Sequence, residues 1–97
     1  MFIVLLKFSD QKDRAPQFMV QHKEWIKHGF DEGMFLMSGS LKPNLGGVIL
    51  ATNVTLADLH IMVNKDAFVS ENIVSAEIIE ISASRACEEL KFLVEGT

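Results

Sequence analysis

The fold of this chain is decided by residues 2–8, whose sequence is FIVLLKF. A short apolar run that ends at a polar pair, Ser9-Asp10, predicts a β-strand. Even-numbered and odd-numbered positions of a strand point to opposite faces of its sheet, and here both sets are apolar as far as Lys7. A strand with one face in water alternates apolar and polar residues instead. The run therefore predicts a sheet that is covered on both faces.

The hydrophobic pattern after this run predicts three further strands and two long helices. Pro16 suits the first turn of a helix, and apolar residues near 3.6-residue spacing extend that helix to about Phe30, before Gly33. Charged residues, Lys23 among them, mostly occupy its opposite face. The other predicted elements are strands at 34–41, 48–52 and 74–82, a helix capped by Asn53 or Thr55 (with Asp58 in the acidic capping-box position) that ends at Lys65-Asp66, and a helix from Ser84 to Val94 that ends at Gly96.

This order of elements predicts the fold class. The sequence β-α-β-β-α-β is the split βαβ arrangement of ferredoxin-like folds. We therefore predict an α+β fold with a four-stranded antiparallel sheet, two helices on one face and an added C-terminal helix. Ninety-seven residues suffice for one domain, residues 1–97, in which 82–97 are a C-terminal extension.

The sheet face without helices is also predicted to be apolar. We place Ile3 and Leu5 on it, together with Ile49 and Ala51. Such a face exceeds the apolar patch that monomers usually leave in water, and burying roughly 500 Å² of it would contribute on the order of 12 kcal/mol before association costs. We therefore expect a homodimer or a higher oligomer, with the C-terminal helix folded back over the sheet as the alternative.

Composition and charge exclude several partners. A net charge of −4 with no basic stripe argues against nucleic acid as a partner. The apolar start is too short to span a bilayer and lacks the basic lead-in and cleavage site of a signal peptide, so we expect no membrane association and a cytoplasmic location. Cys87 is the only cysteine, so no intramolecular disulfide can form. His22, His28 and His60 lack ligand-like spacing and the sequence has no cofactor fingerprint, so we expect no metal and no cofactor.

One polar side chain interrupts the apolar stripe of the first predicted helix. His22 lies three residues from both Met19 and Trp25, which puts an imidazole among apolar side chains. A buried imidazole needs hydrogen-bond partners. If Asp66 approaches it from the end of the second helix, the carboxylate would fix its tautomer, as in many acid–base sites. A core histidine bonded to a backbone carbonyl or to water is the alternative, and the residues alone leave both open.

Asp31 is the second choice as the acidic partner of this histidine. It follows His22 by nine residues, which is two and a half helical turns, so on an unbroken helix it points away. It would reach a ligand only if the helix ended before Phe30. A polar helix end is the alternative reading of Asp31.

Three further residues are candidates for contact with a substrate. Ser38 and Gly39 interrupt an otherwise apolar strand, where a serine hydroxyl can donate to an oxyanion and a glycine permits close backbone approach. Phe68 is expected in a pocket wall. Gly46-Gly47 is interpreted as a hairpin turn and not as a phosphate-binding loop, because it opens a strand and no helix.

Four segments together resemble the YciI-like family. They are the strand at residues 2–6, His22 followed by Asp31-Glu32-Gly33, the strand at residues 33–40, and Asp66-Ala67-Phe68. The third segment is similar to the family's Gly-x-Leu-x-x-x-Gly-Pro, and the fourth to its Asp-Pro-Phe. Two features depart from the family: Ala67 replaces the proline, and the tail after Ser82 is unlike the usual short ending.

The resemblance implies a dimeric α+β barrel with a pocket between the first helix and the sheet, lined by a His/Asp pair that corresponds to His22 and Asp66. Relatives include a dehydrochlorinase that acts on a chlorinated hydroxyquinol. The resemblance thus implies a small-molecule enzyme of lyase, dehydrochlorinase or isomerase type. A non-catalytic module that holds a small apolar or aromatic acid ligand, and a purely structural oligomerisation module, remain the alternatives.

Overall fold

The computed structural model describes residues 1–95 and shows the predicted order β-α-β-β-α-β for the strands and the two long helices. The strands are β1 (Phe2–Phe8), β2 (Phe35–Leu41), β3 (Gly46–Ala51) and β4 (Val74–Glu80). The helices are α1 (Ala15–Asp31), α2 (Leu56–Asn64), α3 (Ala67–Ser70) and α4 (Phe92–Glu95), with 3-10 turns at Lys12–Arg14 and Glu88–Leu90. Among the described residues, no helix combines the length and the apolar character needed to cross a membrane.

The four strands form one sheet in the order β2-β3-β1-β4, and every neighbouring pair is antiparallel. This is the strand order of a ferredoxin-like fold, so the predicted fold class is confirmed. The central strands β1 and β3 carry the most buried side chains of the sheet, and α1 and α2 cover one of its faces. We call this side the inner face, and the opposite side the outer face.

The register of β1 against β3 decides which side chains belong to the inner face. Val4 lies opposite Ile49, and both are buried in the core under the helices. Ile3 lies opposite Leu50 on the outer face, because directly opposed residues share a face. The prediction that Ile49 and Ala51 share a face with Ile3 is therefore wrong. A strand that is apolar at consecutive positions carries no alternation from which its register can be read.

Two close contacts attach the helices to each other and to the sheet. The indole Nε1 of Trp25 donates a hydrogen bond to the backbone oxygen of Met62 at 2.8 Å, which joins α1 to α2. Gly29 allows α1 to approach β2, because a Cβ at this position would overlap the ring of Phe35. α1 is thereby fixed over the edge of the sheet that β2 forms.

α2 begins at one of the two predicted caps, and a short helical turn, α3, follows its end. Of the two predicted caps, the structure uses Thr55, whose Oγ1 accepts a hydrogen bond from the backbone N–H of Asp58 at 3.1 Å. α2 ends at Asn64, and Asp66 then caps the single turn of α3. This turn places the Asp66 carboxylate beneath α1.

The predicted helix from Ser84 to Val94 is not present as one element. Its place is taken by the 3-10 turn Glu88–Leu90 and by the four-residue α4, while Cys87 before them is in extended conformation. An isolated helix of about ten residues is marginal in water unless an apolar face packs on the core. Within the described tail, Leu93 is buried, whereas Leu90 and Phe92 are exposed. The predicted end at Gly96 lies outside the described residues.

Candidate functional site

A cavity of about 330 Å³ lies between α1 and the inner face of the sheet. This volume is at the lower end of the range that holds small organic ligands. Its walls are mostly apolar, and the apolar side chains that line it include Leu6, Phe8, Met19, Ile26 and Phe68. The described lining also includes the polar residues His22, Lys23, Ser38 and Ser40 and the glycines Gly39, Gly46 and Gly47. The cavity thus combines apolar walls with a few polar groups, as ligand sites do.

His22 and Asp66 are in hydrogen-bond contact at one wall of this cavity. The distance from His22 Nδ1 to Asp66 Oδ1 is 2.7 Å, and the side chains are 14% and 0% exposed. An ionised carboxylate can only accept, so Nδ1 carries the hydrogen and donates it. In the neutral ring this leaves the lone pair on Nε2, which makes no hydrogen bond to any described residue. The structure therefore brings the two predicted residues together, and their catalytic roles remain a prediction.

The backbone of α3 holds the Asp66 carboxylate in place. Asp66 Oδ1 also accepts from the backbone N–H of Phe68 at 3.2 Å, as the N-cap of that helical turn. The second oxygen, Oδ2, is buried and has no hydrogen-bond partner among the described residues. A buried polar atom without a partner is uncommon in proteins and calls for an explanation, of which a catalytic role is one.

Aromatic contacts fix the plane of the His22 ring. Phe68 stacks on the imidazole with ring centroids 3.9 Å apart and an interplanar angle of 3°. Trp25, one turn further along α1, lies at 6.1 Å with an angle of 23°. Because Phe68 belongs to the turn that Asp66 caps, one short segment both orients the imidazole and packs against it. Phe68 lines the cavity, and its ring is stacked on His22.

The floor of the cavity consists of small residues on β2 and β3. Ser38 lies opposite Ile49, and Ser40 lies opposite Gly47, so both serine side chains are on the inner face. Gly47 has no side chain to fill the space between them and β1. Gly46 beside it is at φ +133°, and a Cβ there would overlap the carbonyl oxygen of Leu6. Close packing of this backbone, and not a turn alone, explains the pair of glycines.

Gly39 contributes backbone to the cavity, and its missing side chain belongs to the other side of the sheet. It lies opposite Val48, and a Cβ added at Gly39 would meet the side chains of Met37 and Val48 on the outer face. A ligand could therefore approach the backbone of Gly39 closely only from the inner face.

Asp31 lies away from the cavity. It is the last residue of α1, and its carboxylate accepts a hydrogen bond from Lys27 Nζ at 2.7 Å. This hydrogen bond and the negative charge of Asp31 raise the pKa of Lys27. The helix continues through Phe30, so the condition for an inward turn is not met. We therefore do not retain Asp31 as a substrate-binding residue or as a partner of His22.

Two polar residues of the lining were not selected from the sequence. Ser40 follows Ser38 by two positions, and the two-residue period of a strand would have placed both on one face. Lys23 is exposed, as its place on the charged face of α1 predicts, and it also lines the cavity beside His22. A long side chain at the border of an apolar stripe reaches either side, so its sequence position does not settle its direction.

No group of three or more His, Cys, Asp or Glu residues within the described part of the chain is arranged to hold a metal ion. Cys87 is exposed in the C-terminal tail and does not line the cavity. Among the described residues, the polar side chains that line the cavity are those of His22, Lys23, Ser38 and Ser40.

Comparison with known proteins identifies a relative by fold. No model of a protein family matches the sequence, and no curated protein matches it either. Among solved structures, the chain is similar to 5-chloro-2-hydroxyhydroquinone dehydrochlorinase from Burkholderia phenoliruptrix in complex with 2,5-dihydroxybenzoquinone. The TM-score is 0.68 at 9% sequence identity, and the match covers 87% of this chain and 96% of the other. The likeness shows a common fold.

Proposed function

We propose that the chain is a small-molecule enzyme of the YciI-like type, in which His22 acts as a general base in a lyase or isomerase reaction. The observation that carries the proposal is the 2.7 Å contact from His22 Nδ1 to Asp66 Oδ1. It leaves Nε2 as the free basic nitrogen of a side chain that lines the cavity. Asp66 is the positioning residue, because it acts on the substrate only through the imidazole.

The rest of the lining favours proton transfer over covalent catalysis. His22 makes no hydrogen bond to a serine or cysteine among the described residues, so an activated nucleophile of the Ser–His type is not indicated. Ser38 lines the same cavity and has a hydroxyl that can donate to an oxyanion or enolate formed when the proton leaves. These parts suit a base, its orienting carboxylate and an oxyanion donor.

A dehydrochlorination can be written with these groups alone. His22 Nε2 takes a proton from a C–H or O–H group of the substrate, and the freed electron pair forms a new π bond. Chloride leaves with the electrons of the C–Cl bond, so the substrate loses HCl and no oxidant is needed. The imidazolium that forms is stabilised by the buried Asp66 carboxylate until water removes the proton. An isomerase reaction differs in that the proton is returned to another carbon.

The fold relative and the sequence resemblance support this reaction class together. The solved relative is a dehydrochlorinase by its printed name. The resemblance in residues 2–6, 33–40 and 66–68, with His22, points to the same class. We therefore extend the lyase reaction to this chain, with a chlorinated hydroxyquinol as the first substrate to test.

The decisive experiment measures chloride release from 5-chloro-2-hydroxyhydroquinone, the compound in the relative's name. We expect His22→Gln to lower kcat by about 10²–10⁴-fold, the usual contribution of a general base. Asp66→Asn keeps a residue that can cap α3, and we expect a loss of up to about 10⁴-fold together with a change in the imidazole tautomer seen by ¹⁵N NMR. His28→Gln is the matched control, because His28 is an exposed histidine on the same helix.

Two results would contradict the proposal. One is unchanged turnover in His22→Gln. The other is tight binding of the compound by the wild-type chain without chloride release or proton exchange with solvent. The second result would favour the alternative of a non-catalytic ligand-binding module.

We also propose that the working unit is a homodimer formed through the outer face. Met37 and Ile79 on this face are 44% and 38% exposed, and Ile3 and Leu50 between them are only partly covered. The described tail therefore leaves much of this apolar surface in water. A second copy provides an apolar surface of matching character.

A further inference from the structure

Among the described residues that line the cavity, the one formally charged side chain with histidine neutral is a cation, Lys23, whereas the chain as a whole is negative. The chain carries a net charge of −4. Among the described residues that line the cavity, however, the ionisable side chains are Lys23 and His22, and none is a carboxylate. Asp66 stands behind the imidazole and is fully buried. An apolar cleft lined by one sign of charge attracts ligands of the opposite sign.

No nearby acidic residue neutralises Lys23. It makes no ion pair within the part of the chain that the structure describes. The positions three and four residues away on α1 are Met19, Val20, Ile26 and Lys27. Lys27, one turn later, differs because it is paired with Asp31 at 2.7 Å and does not line the cavity.

Two hydroxyl groups face α1 from the floor of the cavity. Ser38 and Ser40 lie on the inner face of β2, and neither hydroxyl is hydrogen-bonded to another described residue. A serine hydroxyl without an internal partner is free to donate to a ligand. Lys23 and these two serines thus line the same cavity, together with His22, apolar side chains and glycines.

We infer that Lys23, with Ser38 and Ser40, selects a ring-shaped organic anion, an aromatic carboxylate or an ionised enol, as the substrate class of this cavity. The apolar walls pack against the ring, the Lys23 ammonium group binds the negative group, and His22 faces the rest of the ring. The inference rests on the proposed function in treating the cavity as the substrate site. It adds a specificity residue outside the His22–Asp66 pair, and it requires a charge on the substrate.

The experiment compares two ligands of nearly equal shape, gentisate and gentisamide. Gentisate carries a carboxylate where gentisamide carries a neutral amide. Binding to the full chain is measured by isothermal titration calorimetry at low salt. We expect the wild type to bind gentisate on the order of tenfold more tightly, since one charge-assisted contact distinguishes the two. Lys23→Gln should remove this preference and leave gentisamide binding unchanged. Lys27→Gln, the same change one turn along α1, should preserve it.

Equal binding of the two ligands by the wild type would overturn the inference, as would a preference that survives in Lys23→Gln or binding of neither ligand at millimolar concentration. Each of these results leaves the chloride-release test of His22 intact. Conversely, a charge preference that depends on Lys23 supports the inference even if His22→Gln shows the proposed reaction to be wrong. Thermal melts of both lysine variants establish that they are folded.

Discussion

The inner and outer faces of the sheet differ in what covers them, although both consist largely of apolar side chains. On the inner face Val4 and Ile49 are buried under the helices, whereas on the outer face Met37 and Ile79 are 44% and 38% exposed. The inner face is completed within one chain, and the outer face is not. Apolar composition alone therefore does not tell whether a face belongs to the core or to an interface.

The inner face is itself divided into a packed end and a hollow end. Near Phe2 and Ala51 it is filled by buried side chains. Near Leu6 and Gly47 it opens into the cavity. A void in a core forgoes dispersion contacts that a larger side chain would make, so small residues here cost stability. The hollow end adjoins the His22–Asp66 pair, which is the basis for proposing it as a ligand site.

The two faces should differ most in how much an alanine substitution on each lowers the free energy of unfolding. Ile49→Ala removes a side chain that is 1% exposed, and we expect the free energy of unfolding to fall by about 2–5 kcal/mol. Ile79→Ala makes the same chemical change on the outer face, where the side chain is 38% exposed, and should cost about 1 kcal/mol or less. Urea unfolding at a protein concentration below dimer formation measures both. Equal losses would show that the two faces are buried alike.

The next effect concerns association through the outer face. We expect the wild type to sediment as a dimer at micromolar concentration. Ile79→Lys should weaken the dimer on the order of 100-fold, because the change buries an unpaired ammonium group at the interface. Val20→Lys is the control, since Val20 is 68% exposed on α1, on the other side of the sheet. A wild type that sediments as a monomer would contradict the dimer proposal, and equal weakening by both changes would point to a different interface.

The order of elements was predictable because each carries a local signal. The run at residues 2–8, Pro16 at the start of α1 and Thr55 as the cap of α2 all follow from rules that involve only neighbouring residues. His22 was recognisable for the same reason, as the one polar residue on an apolar helical stripe. Local physics was sufficient wherever an element is determined by its own residues.

What could not be predicted depends on contacts between elements. The face of Ile49 is set by its pairing with Val4, and β3 offers no polar alternation to reveal it. Whether the Lys23 side chain lines the cavity depends on where the cavity lies relative to α1, which is set by the packing of α1 on the sheet. The tail from Ser84 had enough helix-forming residues to suggest a helix, but α4 is only four residues long. Propensity is a weak guide where packing does not support it.

The smallest expected effect comes from adding one methyl group to the inner face, which should change ligand binding and not dimer formation. Gly47→Ala adds a Cβ on the inner face, 3.4 Å from the carbonyl oxygen of Gly39, so the backbone must yield slightly. We expect stability to change by about 1 kcal/mol or less, since the lower entropy of the unfolded alanine chain offsets this contact. The methyl group occupies the cavity floor, and gentisate binding should fall about three- to tenfold.

Gly39→Ala is the matched control on the neighbouring strand. Its Cβ would lie on the outer face at ordinary contact distances, 3.7 Å from Met37 Sδ and 3.8 Å from Val48 Cγ1. Ligand binding should therefore be unchanged in Gly39→Ala. If the dimer forms through the outer face, this variant instead alters the dissociation constant of the dimer, which Gly47→Ala leaves unchanged. The reverse pattern, with Gly39→Ala weakening gentisate and Gly47→Ala weakening the dimer, would mean that the ligand and the second copy occupy the opposite faces from those proposed.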